Sequence, residues 1–496
     1  MQNIPIRAQH QPRLSASRLR RVEQLARDIL VEQPHLIPRE EFRACAAADH
    51  VDGPALIIDD LSEISLISED QVFFQDRARM RAGDGDVIVS CSPPVPGYDD
   101  YCRDQLGLGN PEWLRATAPQ NRLHVAEAAW EDRDVRRKLV HHIRRHDLQA
   151  IHPHMGTLPI WELAMLLSKK SHRQLSVLAP PPTVAQWAND KVQFTETVRR
   201  LFGDGQVPRT TSAWSLSMAA VRAKELATVS DVVGIKIPNS AGSKGNFVIP
   251  AADLAGKNLT AVEQRLREEL NDHWDGQQPL LISEWESEVL CSPSVQLWLP
   301  PNRDCLPIVE GVFVQAVSGD NGEFVGNEPA TLPHALTDEI VDRAWMLGRL
   351  FQLLGYVGRC SFDVILLGRS LTNSVMEFIE CNGRWGGTSL PMTLMNRMFG
   401  DWKSQPYSSH VAQADGLRNL SFQQLLDSLS DHLYDHRTKT GRYILYNPGR
   451  MQSDAIGVIA IAPDWPAAHR AAFVEFPQLL QKAIAAHHAN TCGVLC

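Results

Sequence analysis

The chain has 496 residues, of which 44% are apolar and 22% charged, values that exclude disorder or a collagen-like repeat for the bulk of it. Its length predicts roughly three domains, large enough that no disulfide or metal staple is required for size. Lys+Arg 49 against Asp+Glu 58 gives a net charge of −9, which argues against a nucleic-acid partner, whose footprint is a basic excess.

In chain order, residues 1–12 read as a loose arm, basic but without the apolar core of a secretory leader. Residues 13–33 have helical spacing, with Leu19, Val22, Leu25 and Ile29 near one face. PALIIDD (54–60), DVIVS (86–90), NRLHVAE and LQAIHPHM read as short strands, with helices around 131–146 and 160–170. Strands alternating with helices predict an α/β domain with a mainly parallel sheet, closing at the proline-rich LSVLAPPP, hence 1–182. From 183 the pattern becomes α+β. A helical TVAQWANDKVQFTETVRRLFGDG precedes strands around a Gly/Ser loop, several strand-like segments from LLISEWE to GEFVGNEPA, a helix at 336–354, and the strands GRCSFDVILL and SVMEFIECN. These predict units at 183–280 and 281–400 with a large antiparallel sheet. A region 401–496 follows, with helices at 420–434 and 467–487 and strands YILYN and AIGVIAIA. No run reaches the roughly 18–20 apolar residues of a membrane span, so no membrane partner is expected. The nine cysteines include no CxxC and read as reduced thiols of a cytoplasmic protein.

The densest chemistry lies in SFDVILLGRSLTNSVMEFIECNGRWGGT (361–388). Residues two apart on a strand share a face, so Glu380, Asn382 and Arg384 project together, and Asp363 joins them if the two strands pair. Carboxylates and an amide carbonyl are hard oxygen ligands suited to magnesium, and arginine suits phosphate. The same pattern also fits an acidic edge strand ending in a turn. In GIKIPNSAGSKGNF (234–247), Lys236 lies inside an apolar strand, where an unpaired ammonium is costly. The loop after it offers N–H groups, hydroxyls and Lys244 to a polyphosphate, or is an ordinary polar hairpin turn. It is not GxxxxGK[ST]. Asn189-Asp190-Lys191 reads alone as a charged helix start, and LLISEWESE (280–288) as an edge strand with acids in water. His142 and His146 have metal spacing without a companion carboxylate; with His141, His152 and His154 they form a histidine-rich stretch.

Taken in order, NDK, strand-Lys-Gly/Ser loop, ISEWE, SVQLWL, FDVILL and EFIECNGR resemble the ATP-grasp superfamily over about 185–395. The resemblance implies a nucleotide held between two α+β lobes. By motif position Lys191 and Lys236 are the phosphate-contacting lysines, Gly242, Ser243, Lys244 and Gly245 the lid, and Glu284 and Trp285 the adenine-reading hinge. Glu286 and Glu288 are both candidates for the ribose. Asp363, Glu380 and Asn382 stand as magnesium ligands, Arg384 as the cation at the transferred phosphate, and Arg359 as a second such cation. DRARMRAGDGDVIVSCSPPVPGYDDYCRDQLG and IHPHMGTLPIWELAMLL resemble the pre-ATP-grasp domain of pheganomycin-type peptide ligases. The implied architecture is an N-terminal α/β pre-ATP-grasp domain, a two-lobed ATP-grasp fold and a small C-terminal α+β region.

What this resemblance implies is an ATP- and magnesium-dependent carboxylate–amine ligase, acting on small-molecule or peptide substrates in peptide natural-product biosynthesis and open to homodimer formation. Its rivals are loading of an amino acid onto a carrier-protein thiol, a carboxylate kinase, and a nucleotide-binding regulator without turnover.

Overall fold

The computed structural model describes residues 6–49, 51, 53–64, 69–117, 124–145, 147–238, 240, 245–319 and 322–493. Three sheets organise it. The first is parallel, in the order β3-β2-β1-β4-β5, from β1 (Ala55–Ile58), β2 (Val87–Ser90), β3 (Glu112–Arg115), β4 (Ala150–Pro153) and β5 (Ser176–Val177). All four residues of β1 are buried, as a parallel strand covered on both faces requires. Helices Val125–Glu131, Arg133–Arg144 and Leu158–Ser171 cover one face. On the other, Ala78 and Ala82, in and just after a 3₁₀ segment Glu69–Met80, pack on Ala55, Ile57 and Ile88. Residues 125–127, expected in a strand, begin a helix instead, whose Val125 N–H is held by buried Asp60 at 2.7 Å.

The second sheet is antiparallel, in the order β6-β9-β7-β8, from β6 (Thr210–Ala213), β7 (Val232–Lys236), β8 (Asn246–Pro250) and β9 (Leu280–Glu284). Helices Leu216–Leu226 and Leu259–Leu270 close its core. Because β9 pairs with both β6 and β7, this unit runs four residues past the expected boundary at 280.

The third sheet has eight strands: β10 (Val289–Leu299), β11 (Ile308–Ser318), β12 (Glu323–Pro329), β13 (Gly358–Leu367), β14 (Val375–Asn382), β15 (Tyr407–Gln413), β16 (Tyr443–Tyr446) and β17 (Ala455–Ile461). Their order is β14-β13-β10-β11-β12-β15-β17-β16. The expected boundary at 400 therefore falls inside one sheet, whose β12 pairs with β15 through Gly326–His410 and Asn327–Ser409. Helices Ala16–Glu32 and His334–Leu353 bury one end, and Phe422–Leu429 and Phe476–Gly493 the other. No described helix is long and apolar enough to cross a membrane.

Candidate nucleotide and metal site

A cavity of about 560 Å³ lies where the three sheets meet. β13 and β14 pair antiparallel with Asp363 opposite Glu380 and Ser361 opposite Asn382, so the hairpin places both acids and the amide together. All three line the cavity. Asp363 accepts Ser294 Oγ–H at 2.6 Å and Asn382 Nδ2–H at 2.8 Å. Burial, then repulsion from Glu380, pushes its carboxyl up to about 7. Glu380 behaves oppositely: burial alone would raise it, but Lys191 and Arg384 outweigh that and hold it below its usual range. A cation between the two would relieve the repulsion at Asp363. Two carboxylates and an amide fit magnesium, which completes its shell with phosphate oxygens and water. Among the described residues no three His, Cys, Asp or Glu side chains gather as a metal site, and here the third ligand would be the Asn382 amide. His142 instead pairs with Glu112 at 2.8 Å, and His146 lies outside the described residues.

The NDK triplet works as three separate devices. Asp190 caps the helix Lys191–Phe202 by accepting from Val192 N and Gln193 N. Lys191, the first residue of that helix, is buried; its Nζ lies 3.3 Å from Glu380 Oε2 and donates to the Ser240 carbonyl at 2.9 Å. Asn189, which the sequence marks only as part of that triplet and without a role of its own, holds the loop after β14. Its Oδ1 accepts from Gly383 N at 3.0 Å and from Arg384 Nη1, and its Nδ2 donates to the Gly383 carbonyl at 3.3 Å. A Cβ at Gly383 would sit 2.7 Å from that amide nitrogen, so the clamp needs glycine. Only the neighbouring Lys191 hinted at it, because Asn189 acts on a loop nearly 200 positions away.

Lys236 ends β7 and lines the same cavity, its Nζ 5.4 Å over the Trp285 ring. Burial, then Lys191, lowers its ammonium to about 8. Glu284 ends β9, and Trp285 N donates to the Val232 carbonyl at 3.1 Å, so the chain leaves one lobe for the next under backbone control. The Trp285 ring lies against Gly234, where a Cβ would approach it to 2.8 Å. Glu284, Trp285 and Glu286 line the cavity, whereas Glu288 is exposed and stands outside its lining. Of these two candidates, Glu286 alone lines the cavity. Gly242, Ser243 and Lys244 lie outside the described residues, and Gly245 is described but does not line the cavity.

Arg359 is the clear departure. It is 4% exposed, absent from the cavity wall, and ion-paired with fully buried Glu310. Its guanidinium carbon lies 5.5 Å from the Trp298 ring centroid and 4.8 Å from that of Trp385. Arg81 approaches Trp385 to 4.8 Å as well. Sequence reasoning had placed Arg359 at the phosphate; its stacking and its acid partner make it a support for Trp385, next to Arg384. Gly386 and Gly387 line the cavity, but the close approach at Gly387 is to Phe324, where a Cβ would come within 2.6 Å.

Residues 75–168 match the pre-ATP-grasp domain family. Among solved structures, an ADP complex of an N5-carboxyaminoimidazole ribonucleotide synthetase superposes with a TM-score of 0.53 at 10% identity, covering 89% of this chain and 99% of the other. The Aspergillus clavatus N5-carboxyaminoimidazole synthase, in complex with ADP and 5-aminoimidazole ribonucleotide, gives 0.51 at 10% identity, covering 87% and 99%. The Staphylococcus aureus synthetase complexed with ADP gives 0.50 at 10% identity, covering 88% and 99%. The fold is ATP-grasp, preceded by a pre-ATP-grasp domain. No curated protein matches the sequence significantly. Within this fold, β6–β9 form one lobe, β10–β14 carry the hairpin with Asp363 and Glu380, and β15–β17 extend the same sheet.

Proposed function

We propose that the protein is an ATP- and magnesium-dependent carboxylate–amine ligase that joins an acid to an amine through an acyl phosphate, releasing ADP and phosphate. The observation that carries this reading is the convergence of Asp363, Glu380, Asn382, Lys191, Lys236 and Arg384 on one cavity. Solved structures of the same fold include ADP complexes of synthetases, which supports a nucleotide here.

Asp363, Glu380 and Asn382 would hold the metal, which when bound neutralises phosphate charge. Lys191 and Lys236 face the same space and bind the phosphates as point cations. The substrate carboxylate displaces ADP from the terminal phosphate, and catalysis of such a transfer is mainly positioning and charge neutralisation. Arg384, held by Asn189, is fixed to meet the negative charge that develops on the acyl carbon's oxygen when the amine adds. The amine then expels phosphate, and its proton passes to solvent or to a base. Trp285 and Glu286 flank the nucleotide end.

ADP release against a panel of amino acids, guanidino acids and short peptides, with mass spectrometry of products, tests this. Amide products dependent on both substrates are expected. Thioester formation with a thiol acceptor would favour carrier loading, and acid-dependent ADP release without any acceptor a kinase. ATP binding with no ADP release across the panel would favour a regulator.

A further inference from the structure

Trp385 follows Arg384 directly and lines the cavity, yet only 2% of it is exposed. Its neighbours are polar where a tryptophan that merely filled space would meet apolar side chains. The guanidinium carbons of Arg81 and Arg359 each lie 4.8 Å from the ring centroid. His152 packs edge-on to the ring at 5.4 Å, with neither of its own nitrogens hydrogen-bonded among the described residues. An indole face attracts cations more strongly than any other side-chain ring, so this one serves as a fastening point for two of them.

The two cations belong to different units. Arg81 follows the 3₁₀ segment Glu69–Met80, pairs with Asp59 just after β1 and donates to the His152 carbonyl of β4 at 3.1 Å. Arg359 belongs to β13 and pairs with Glu310 of β11, in the third sheet. Burial lowers each guanidinium to about 9, so both have lost water and depend on the acid and the ring. Each is tied to its own acid, which leaves the indole little freedom to shift. The backbone adds a third tie: Trp385 N donates to the His154 carbonyl, just past β4, at 3.0 Å. On the other side of Arg384, Asn189 accepts from Gly383 N at 3.0 Å and from Arg384 Nη1. Arg384 therefore stands between two clamps, one from the helix that carries Lys191 and one anchored in the first and third sheets.

We propose that Trp385 is a positioning residue. Held by Arg81, Arg359 and the His154 carbonyl, it fixes the backbone beside Arg384, so that the guanidinium meets the reacting oxygen and its placement depends on the unit of the first sheet. The proposal rests on the ligase reading above and adds the device that sets its cation.

The test compares two variants of the full chain: Trp385→Leu, which removes the face that both cations use, and Trp385→Phe, which keeps a weaker one. The first readout, hydrogen exchange of residues 382–388, needs no substrate. Exchange there should quicken about tenfold or more in the leucine variant and less in the phenylalanine variant, with β10 and β13 unchanged. The second is ADP release with the acid and amine that the substrate panel selects. Misplacing Arg384 should lower kcat about 10–100-fold in the leucine variant, leave the KM for ATP within about threefold, and be largely rescued by phenylalanine. Because both clamps act on one guanidinium, Trp385→Leu combined with Asn189→Ala should lose about as much kcat as the worse single variant. Unchanged exchange at 382–388, an undiminished kcat, or fully additive losses in the double variant overturn the proposal. If the leucine variant melts early, Trp385→Phe decides, and a loop that exchanges as in wild type then overturns it. Wild type without turnover on any panel member removes the ligase reading and leaves exchange to decide on the clamp. Turnover with an undisturbed loop in both variants removes the clamp and leaves the ligase.

Discussion

At the scale of single residues, Asn189 and Lys236 carry the most testable statements. Asn189→Ala removes the acceptor of Gly383 N and Arg384 Nη1 while leaving Asp190 to cap its helix. Turnover should fall by about 10–100-fold, as for loss of a hydrogen bond to a charged group worth about 1.5–3 kcal/mol. Steady-state ADP production checks this, with melting temperature as a control; unchanged turnover would mean that Arg384 holds its place without the clamp. Lys236 gives a pH prediction. In the free protein its ammonium is lowered to about 8, so at pH 8.5 it is largely neutral and at pH 6.5 charged. A bound phosphate favours the charged form and raises that value. ADP binding without magnesium should therefore take up a proton at pH 8.5 and none through Lys236 at pH 6.5. Calorimetry in buffers of different ionisation heat measures it, and Lys236→Met should abolish the uptake. No uptake at pH 8.5 would remove Lys236 from the phosphate site.

At the scale of elements, the hairpin of β13 and β14 was legible because two apolar runs flank a turn and end in acids, and period two then fixes the shared face. The helix at 125–131 was not, since its buried Val125, Ala126, Ala128 and Ala129 cover too few turns to show a period. β3 was missed because only Leu114 of its four residues is buried, as befits an edge strand. The segment Glu69–Met80 was not legible for another reason: the partners of Asp76, Arg77 and Arg79 are Gly449, Asp59 and Asp99, which lie elsewhere in the sequence. Arg359 misled in the same way. Its pairing with Glu310 makes a stability prediction. Arg359→Met leaves a buried acid alone and should cost about 3–5 kcal/mol, while Arg359→Met with Glu310→Leu should recover most of it. Urea denaturation decides; a single variant as stable as wild type would contradict the buried pair.

At the scale of the whole molecule, the cavity belongs to no single unit. The unit of the first sheet supplies Leu61, Arg77 and His154, that of the second Lys236 and Glu284, and the third sheet Asp363, Glu380 and Tyr446. Because β15 pairs with β12 and the core joins Phe313 to Trp402 and Tyr407, the residues after 400 are part of the same eight-stranded sheet as the β13–β14 hairpin. Deleting 401–496 would leave an open edge and an uncovered core, so residues 1–400 should aggregate or lack a cooperative unfolding transition. A soluble 1–400 fragment that unfolds cooperatively would contradict the continuity. The composition could not reveal this, since the polar stretch at 401–416 shows no apolar strand pattern although it contains β15.

The measurement closest to the central claim is steady-state ADP production by wild type and Glu380→Gln at several magnesium concentrations. Glu380 faces the cavity beside Lys191 and opposite Asp363, outside the apolar core, so the variant should melt close to wild type. Losing a group that stabilises transition-state charge predicts a fall of about 10²–10³ or more in rate. A variant that melts like wild type and keeps more than about a tenth of the rate, one decade being about 1.4 kcal/mol, would contradict a metal site at this position and the ligase built on it.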